Sequence, residues 1–296
     1  MTNMNQSQVN INPDFRPVGA RAEQRIGKLL LDSGKLTPDD AEKALRLQKE
    51  KGMRFGEAAK QLGFITDADI QQALGRQFDY PYLQPGEANF SQELVAAYNP
   101  FSRQVEALRG LRSQLMLRWF GDDRKALAIV GAGAGEGASY TAANLAVVFS
   151  QLGERTLLVD ADLRTPRQHD IFKLRNRQGL SDVLAGKAGL EVIERIPAFV
   201  DLSVMPAGTM IPNPQELLGR PALVELLGTL GAHYDIILFD TTPGAIGADA
   251  QTVTARTQGA LMVTRKNYTL LDDAVALKEQ LTAAGAEVVG TVLNEY

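Results

Sequence analysis

Ala126–Ala146 reads ALAIVGAGAGEGASYTAANLA, and this stretch decides the fold. Ala126–Val130 is a short apolar run of strand type. It passes into a loop that carries Gly133, Gly135 and Gly137, and the loop opens a helix near Ser139. A strand, a glycine loop and a helix start in that order make an anion cradle. Glycine lets backbone N–H groups close round the anion, and the helix dipole favours negative charge. The phosphate-loop pattern asks for Gly or Ala, four residues, then Gly-Lys-Ser/Thr. Ala132, Gly137 and Ser139 satisfy it, but Ala138 stands in the place of the lysine and Tyr140 follows Ser139. A second reading stays open, because Gly133-x-Gly135-x-x-Ala138 also fits the dinucleotide fingerprint of an NAD(P)-dependent oxidoreductase.

Outward from the loop, strand candidates alternate with helical patterns. They are Arg155–Asp160, Leu202–Pro206, Ile236–Asp240, Gly259–Thr264 and Val288–Leu293. This alternation predicts an α/β fold with a parallel sheet covered on both faces, and ligands in such sheets bind beyond the C-terminal strand ends. The second strand ends in Asp160 and Asp162 with Arg164 following, and the fourth is an apolar run stopped by Asp240. Carboxylates at strand tips beside a phosphate loop suit Mg²⁺ binding or nucleophile activation. Asp160, Asp162 and Asp240 are therefore the candidate catalytic acids, and Ser139, Asp160 and Asp240 the candidate metal ligands. The plain alternative is a buried strand followed by a helix-capping Asp.

Upstream, residues 1–20 read as a polar flexible lead-in. An internal repeat follows: Arg25–Gln48 (RIGKLLLDSGKLTPDDAEKALRLQ) and Arg54–Gln77 (RFGEAAKQLGFITDADIQQALGRQ) share Arg, Gly, Gly, Thr, Asp, Ala, Leu and Gln at matching places. Thr37 and Thr66 are the expected N-caps, and Pro38 fits the first helical position. The organisation expected is a helical two-repeat domain over 21–84, a linker over 85–101 marked by Pro and Gly, and an α/β domain over 102–296.

Composition narrows the function classes. The chain of 296 residues has a net charge of −4, an acidic pI near 5.4 and no cysteine. An acidic balance argues against a nucleic-acid partner. Absent cysteine excludes disulfides, thiolate metal sites and a cysteine nucleophile. The polar start lacks signal-peptide order, and no apolar run has the length of a membrane span, so a cytoplasmic protein is expected.

At this point the chain resembles the bacterial polysaccharide-type tyrosine kinases, within the MinD/ParA-like P-loop ATPases. The resemblance spans roughly Pro100 to Asn294 and rests on GEGAS (Gly135–Ser139), VDADLRTPRQ (Val159–Gln168), GLSDVLAG (Gly179–Gly186), MPAGTMIPNPQELL (Met205–Leu218) and DIILFDTTP (Asp235–Pro243). It implies ATP and Mg²⁺ held by Gly133, Gly135, Glu136, Gly137, Ala138, Ser139, Tyr140 and Arg164, with Asp160, Asp162 and Asp240 as the acids and Asn294 near the base. It implies, too, that Glu106, Arg109 and Arg112 build a homo-oligomer through one helix face. The layout looks closest to EpsG-type chain-length-determinant kinases, which work with a separate membrane co-polymerase. The implied role is regulation of exopolysaccharide chain length or export.

Two departures bear on catalysis. Loss of one preorganised positive donor costs about 10²–10³ in rate, so Ala138 implies weakened phosphoryl transfer, with Arg164 or a neighbouring subunit's cation as a substitute. Self-phosphorylating members carry a tyrosine-rich tail, whereas this sequence ends NEY. The rival reading is therefore a non-enzymatic scaffold that binds no ATP. The repeat unit resembles the MshEN-type N-terminal domain of type II secretion ATPases, which implies cyclic di-GMP at Arg25, Gly27 and Gln48, and at Arg54, Gly56 and Gln77. Ala58 and Ala59 depart from the large apolar residues of that motif, and a helical adaptor is the alternative.

Overall fold

The computed structural model describes residues 26–67, 69, 70, 73, 75, 83, 88–121 and 123–295. The lead-in, Arg25, Gln77 and Tyr296 lie outside them. The chain divides into two compact units, Met1–Tyr80 and Pro81–Tyr296.

In the first unit residues 26–32 are helical, followed by α1 (Pro38–Lys51) and α2 (Phe55–Gln61). Thr37 caps α1 by accepting the Asp40 N–H at 3.2 Å, and Gly52 ends it in the left-handed region at φ 64°. Thr66 and Asp69 make the matching reciprocal cap in the second repeat. Leu30, Leu36, Ala44, Phe55, Ala59 and Ile65 form a small core. A methyl group on Gly27 would stand 3.4 Å from the Phe55 ring, and one on Gly56 would stand 3.3 Å from Ile70. Both repeat glycines thus serve close packing.

The second unit contains α3 (Val95–Tyr98), α4 (Arg103–Arg118), β1 (Ala126–Gly131), α5 (Ala138–Ser150), β2 (Thr156–Ala161), α6 (Gln168–Ile171), α7 (Leu180–Leu184), β3 (Glu194–Arg195) and β4 (Leu202–Met205). Then come α8 (Pro214–Leu218), α9 (Ala222–His233), β5 (Ile236–Thr241), α10 (Asp249–Thr257), β6 (Gly259–Arg265), α11 (Leu271–Ala283) and β7 (Glu287–Asn294). The strands form one sheet in the order β3-β4-β2-β5-β1-β6-β7, parallel except for β3 against β4. Side chains alternate across it: Leu127 and Ile129 of β1 join a core with α4 and α5, while Ala128 and Val130 join one with α10 and α11. Both faces are covered, which is why β1, β2 and β5 read as continuous apolar runs.

Every expected strand is present within two residues of its expected ends. The short antiparallel β3 was not expected, since two residues carry no periodicity. The segment expected as a linker differs more. Leu94, Ala96 and Ala97 are fully buried in this unit. Asn144 of α5 accepts the Ala96 N–H and donates to the Glu93 carbonyl, both at 2.9 Å. Its apolar residues fasten it to the loop-bearing helix.

Candidate functional site

β1 delivers the chain into the loop, and two left-handed glycines turn it: Gly135 at φ 78° and Gly137, the cap of α5, at φ 91°. The first N–H groups of α5 have no acceptor within the helix, as at any helix start. Glu136 braces this arrangement. It is 3% exposed, its Oε2 accepts the Ala132 N–H at 2.6 Å, and its Oε1 accepts the Thr269 hydroxyl at 2.6 Å. The Asn294 amide donates to the Glu136 carbonyl at 2.9 Å, so the end of β7 fixes the loop as well. The turn after β6 completes the clamp. Tyr268 donates to the Ala134 carbonyl at 3.1 Å, Arg265 donates to the Gly135 carbonyl at 3.2 Å, and the guanidinium lies 4.9 Å from the Tyr268 ring.

Parallel register sets Asp160 of β2 beside Asp240 of β5, and both are fully buried. Asp160 Oδ2 accepts the N–H groups of Arg167 and Gln168 at 3.0 and 2.9 Å. The Gln168 amide bridges the site, donating to Asp240 Oδ2 at 2.8 Å and to the Ser139 carbonyl at 3.1 Å. At this site three buried acceptor oxygens have no donor among the described residues: Asp160 Oδ1, Asp240 Oδ1 and Gln168 Oε1. Burial, with Asp240 alongside, pushes the Asp160 carboxyl well above the ordinary range. Burial likewise pushes Asp240 up to about 7, against hydrogen bonds from Gln168 and Ser139.

Hard oxygen atoms, buried and lacking donors, fit a small divalent cation. No cluster of three or more metal-binding His, Cys, Asp or Glu side chains occurs among the described residues. Mg²⁺ needs none, since it uses one or two carboxylates and keeps several waters.

Asp162 is differently placed. Its Oδ1 accepts from Arg164 N, Thr165 N and the Thr242 hydroxyl, and its Oδ2 from the Thr165 hydroxyl, over 2.8–3.1 Å. It lines the cleft while latching the turn after β2 to the end of β5. Arg164 turns away from the loop: its guanidinium grips the buried Asp249 at the start of α10. The expectation that Arg164 substitutes for the lysine is corrected on this point. The basic residues that do line the cleft are Arg167 and Arg265. Arg167 is held by both oxygens of Glu93, at 2.8 and 2.9 Å.

These parts enclose a cleft of about 780 Å³, bounded by the loop from Gly133 to Tyr140 and by Asp162, Arg167, Thr241 and Arg265. That is ample for a nucleotide. Sequence reasoning missed Glu93, Gln168, Thr242, Arg265, Tyr268 and Thr269. Gln168 lay inside a quoted motif, but no pattern signals that one amide would bridge two strands.

The dinucleotide reading places β2, with its ribose-binding acid, directly beside the loop-bearing β1. Here β5 lies between them, and β1 pairs with β5 and β6. A family model described as an AAA domain matches residues 124–269. The chain is 35% identical over 207 residues to the tyrosine-protein kinase YwqD of Bacillus subtilis, covering 70% of this chain and 87% of that one. This chain belongs to the bacterial tyrosine-protein kinase family.

The structures agree. The kinase domain of Escherichia coli tyrosine kinase ETK superposes with a TM-score of 0.67 at 32% identity, over 72% of this chain and 83% of that one. MinD from Pyrococcus horikoshii, solved with Mg-ADP, gives 0.52 at 28% identity over 58% and 71%. Some curated relatives are much longer: the chain spans 27% of EpsB from Ralstonia nicotianae and 28% of wzc from Salmonella typhi. This chain sets two buried acids beside its glycine loop and carries Ala138 where the phosphate-loop pattern has lysine.

On α4, the Glu106–Arg109 pair stands at 3.5 Å, and Arg112 donates to the Val148 carbonyl of α5 at 2.7 Å. Arg112 therefore has work inside its own chain. No helix among the described residues is long and apolar enough to cross a membrane.

Proposed function

We propose that this chain is an ATP- and Mg²⁺-binding, kinase-like regulator of exopolysaccharide chain length or export whose phosphoryl transfer is weakened. One observation carries the reading: Asp160 and Asp240 lie buried side by side with donor-free oxygens, next to a braced glycine loop. Two buried like charges are costly, and a fold retains them where a cation balances them. Ser139, Asp160 and Asp240 would hold Mg²⁺, which supplies neutralisation of phosphate charge when bound. The loop N–H groups would bind the phosphates. Gln168 would keep both acids oriented, and Asp162 would hold the turn that carries Arg167.

Ala138 takes away one positive donor aimed at the transferred group, so binding survives better than catalysis. The physiological partner would be a membrane co-polymerase, with the protein at the cytoplasmic side of the membrane and assembled through α4. The cyclic di-GMP reading of the repeat unit rests on the Arg-x-Gly resemblance. Calorimetric titration with cyclic di-GMP decides it, because unchanged heat after Arg54→Ala removes it.

The nucleotide proposal is tested with fluorescent mant-ADP. Binding is expected to need Mg²⁺, to be lost in Asp240→Ala and to be indifferent to NADH. Mg²⁺-independent binding, or competition by NADH, contradicts it.

A further inference from the structure

A second cleft of about 740 Å³ adjoins the nucleotide cleft. The turn after β2 lines both, with Asp162, Thr165 and Arg167 on the nucleotide side and Pro166, joined by His169 and Asp170 of α6, on the other. Lys173–Arg177, sequence KLRNR, forms another wall. Lys173 takes a left-handed φ of 53°, which redirects the chain out of α6. Exposure then alternates: Lys173, Arg175 and Arg177 are exposed, while Leu174 and Asn176 are half-buried. The three cations are thus the exposed residues of one loop segment. The segment is anchored, since the Asn176 N–H donates to Glu194 of β3 at 2.6 Å.

Among the described residues no carboxylate lies within ion-pair distance of these cations. The one acid lining the cleft, Asp170, faces His169 at 3.5 Å. Three cations against Asp170, with the Glu194 carboxylate behind the segment and engaged by the Asn176 N–H, leave the cleft with a positive balance. Beside the polar Asn176 and Thr209, the lining includes an aliphatic patch of Leu174, Pro206 and a Met210 that is 75% exposed.

We infer that this cleft docks an extended acidic peptide and presents it to the neighbouring nucleotide site, an inference that rests on the nucleotide reading above. Lys173, Arg175 and Arg177 offer such a peptide several cationic partners for its acids. The aliphatic patch accepts an aromatic or aliphatic side chain between them. An acidic polysaccharide fits less well, because sugar faces dock on aromatic rings and this cleft lines none.

The test uses the full chain and a fluorescein-labelled random copolymer of glutamate and tyrosine, read by anisotropy. Wild type is expected to bind it, to ignore a lysine–tyrosine copolymer and to weaken as salt rises. Combined Lys173→Glu, Arg175→Glu and Arg177→Glu is expected to weaken binding about 10- to 100-fold. The conservative set Lys173→Arg, Arg175→Lys and Arg177→Lys is expected to retain it. All three proteins should bind mant-ADP equally. No binding of the acidic copolymer by wild type, equal binding by the reversed variant, or tighter binding of polygalacturonate overturns the inference. Failure of mant-ADP to bind, with copolymer binding still dependent on the three cations, defeats the nucleotide reading and leaves the cleft as a docking site.

Discussion

At the scale of single residues, the acid pair has a measurable consequence. Asp240 is raised from an ordinary 3.8 to about 7, and Asp160 is raised with it, chiefly by burial. The folded protein therefore holds protons that the unfolded chain releases. For a raised acid, the stabilisation is fully present below the unfolded value and is lost as pH rises through the folded one. Without Mg²⁺, the melting temperature is thus expected to fall as pH rises from about 4 through about 7. Asp240→Asn should flatten that decline, because it removes one of the two charges. A variant that melts with the wild-type pH profile would contradict the assignment. Asp235 acts oppositely: hydrogen bonds from the Arg155 guanidinium hold it below the usual range, so its contribution is lost only as pH falls below about 4. Asp182 is a structural counterpart. Its carboxylate accepts from Gly179 N, Thr209 N and the Thr209 hydroxyl at 2.7–3.0 Å, tying α7 to the end of β4. Asp182→Ala should destabilise by about 1–3 kcal/mol, through one buried and two partly buried donors that lose their acceptor, as read by urea denaturation.

At the scale of elements, α4 is seated by Trp119, the only tryptophan in the chain. Its indole N–H donates to the Ala126 carbonyl at 2.9 Å, and its ring covers Gly259, where a methyl group would meet it at 2.1 Å. Gly259→Ala is expected to displace the indole, red-shift its emission and cost at least about 2 kcal/mol; unshifted emission would show that α4 docks otherwise. This contact was not legible in the sequence, since nothing local links residue 119 to residue 259. The strands were legible, because apolar runs such as YDIILFD stop at an acid or a glycine. The acid pair was legible for the same reason. The choice between Arg164 and Arg167 was not. Both follow the same strand, and only the fold turns one towards Asp249 and the other into the cleft. Pro and Gly made 85–101 look like a linker, although Leu94, Ala96 and Ala97 already carried the signal for burial.

At the scale of the whole molecule, two units with separate cores make a separable design. The polypeptide over residues 81–296 should fold alone, retaining the melting transition of its unit and the full Mg-ADP affinity of the intact chain. Loss of that transition on removal of the repeat unit would contradict the division. A glycine loop braced by Glu136, Thr269, Tyr268 and Asn294 stands beside two buried acids with donor-free oxygens, a pairing that suits Mg-nucleotide binding even with Ala138 in the lysine's place. Calorimetric titration of Mg-ADP into wild type and Ala138→Lys tests this most directly. Weak, saturable heat in wild type, tightened about tenfold or more by the restored lysine, is the expected result. No heat in either protein would contradict the account.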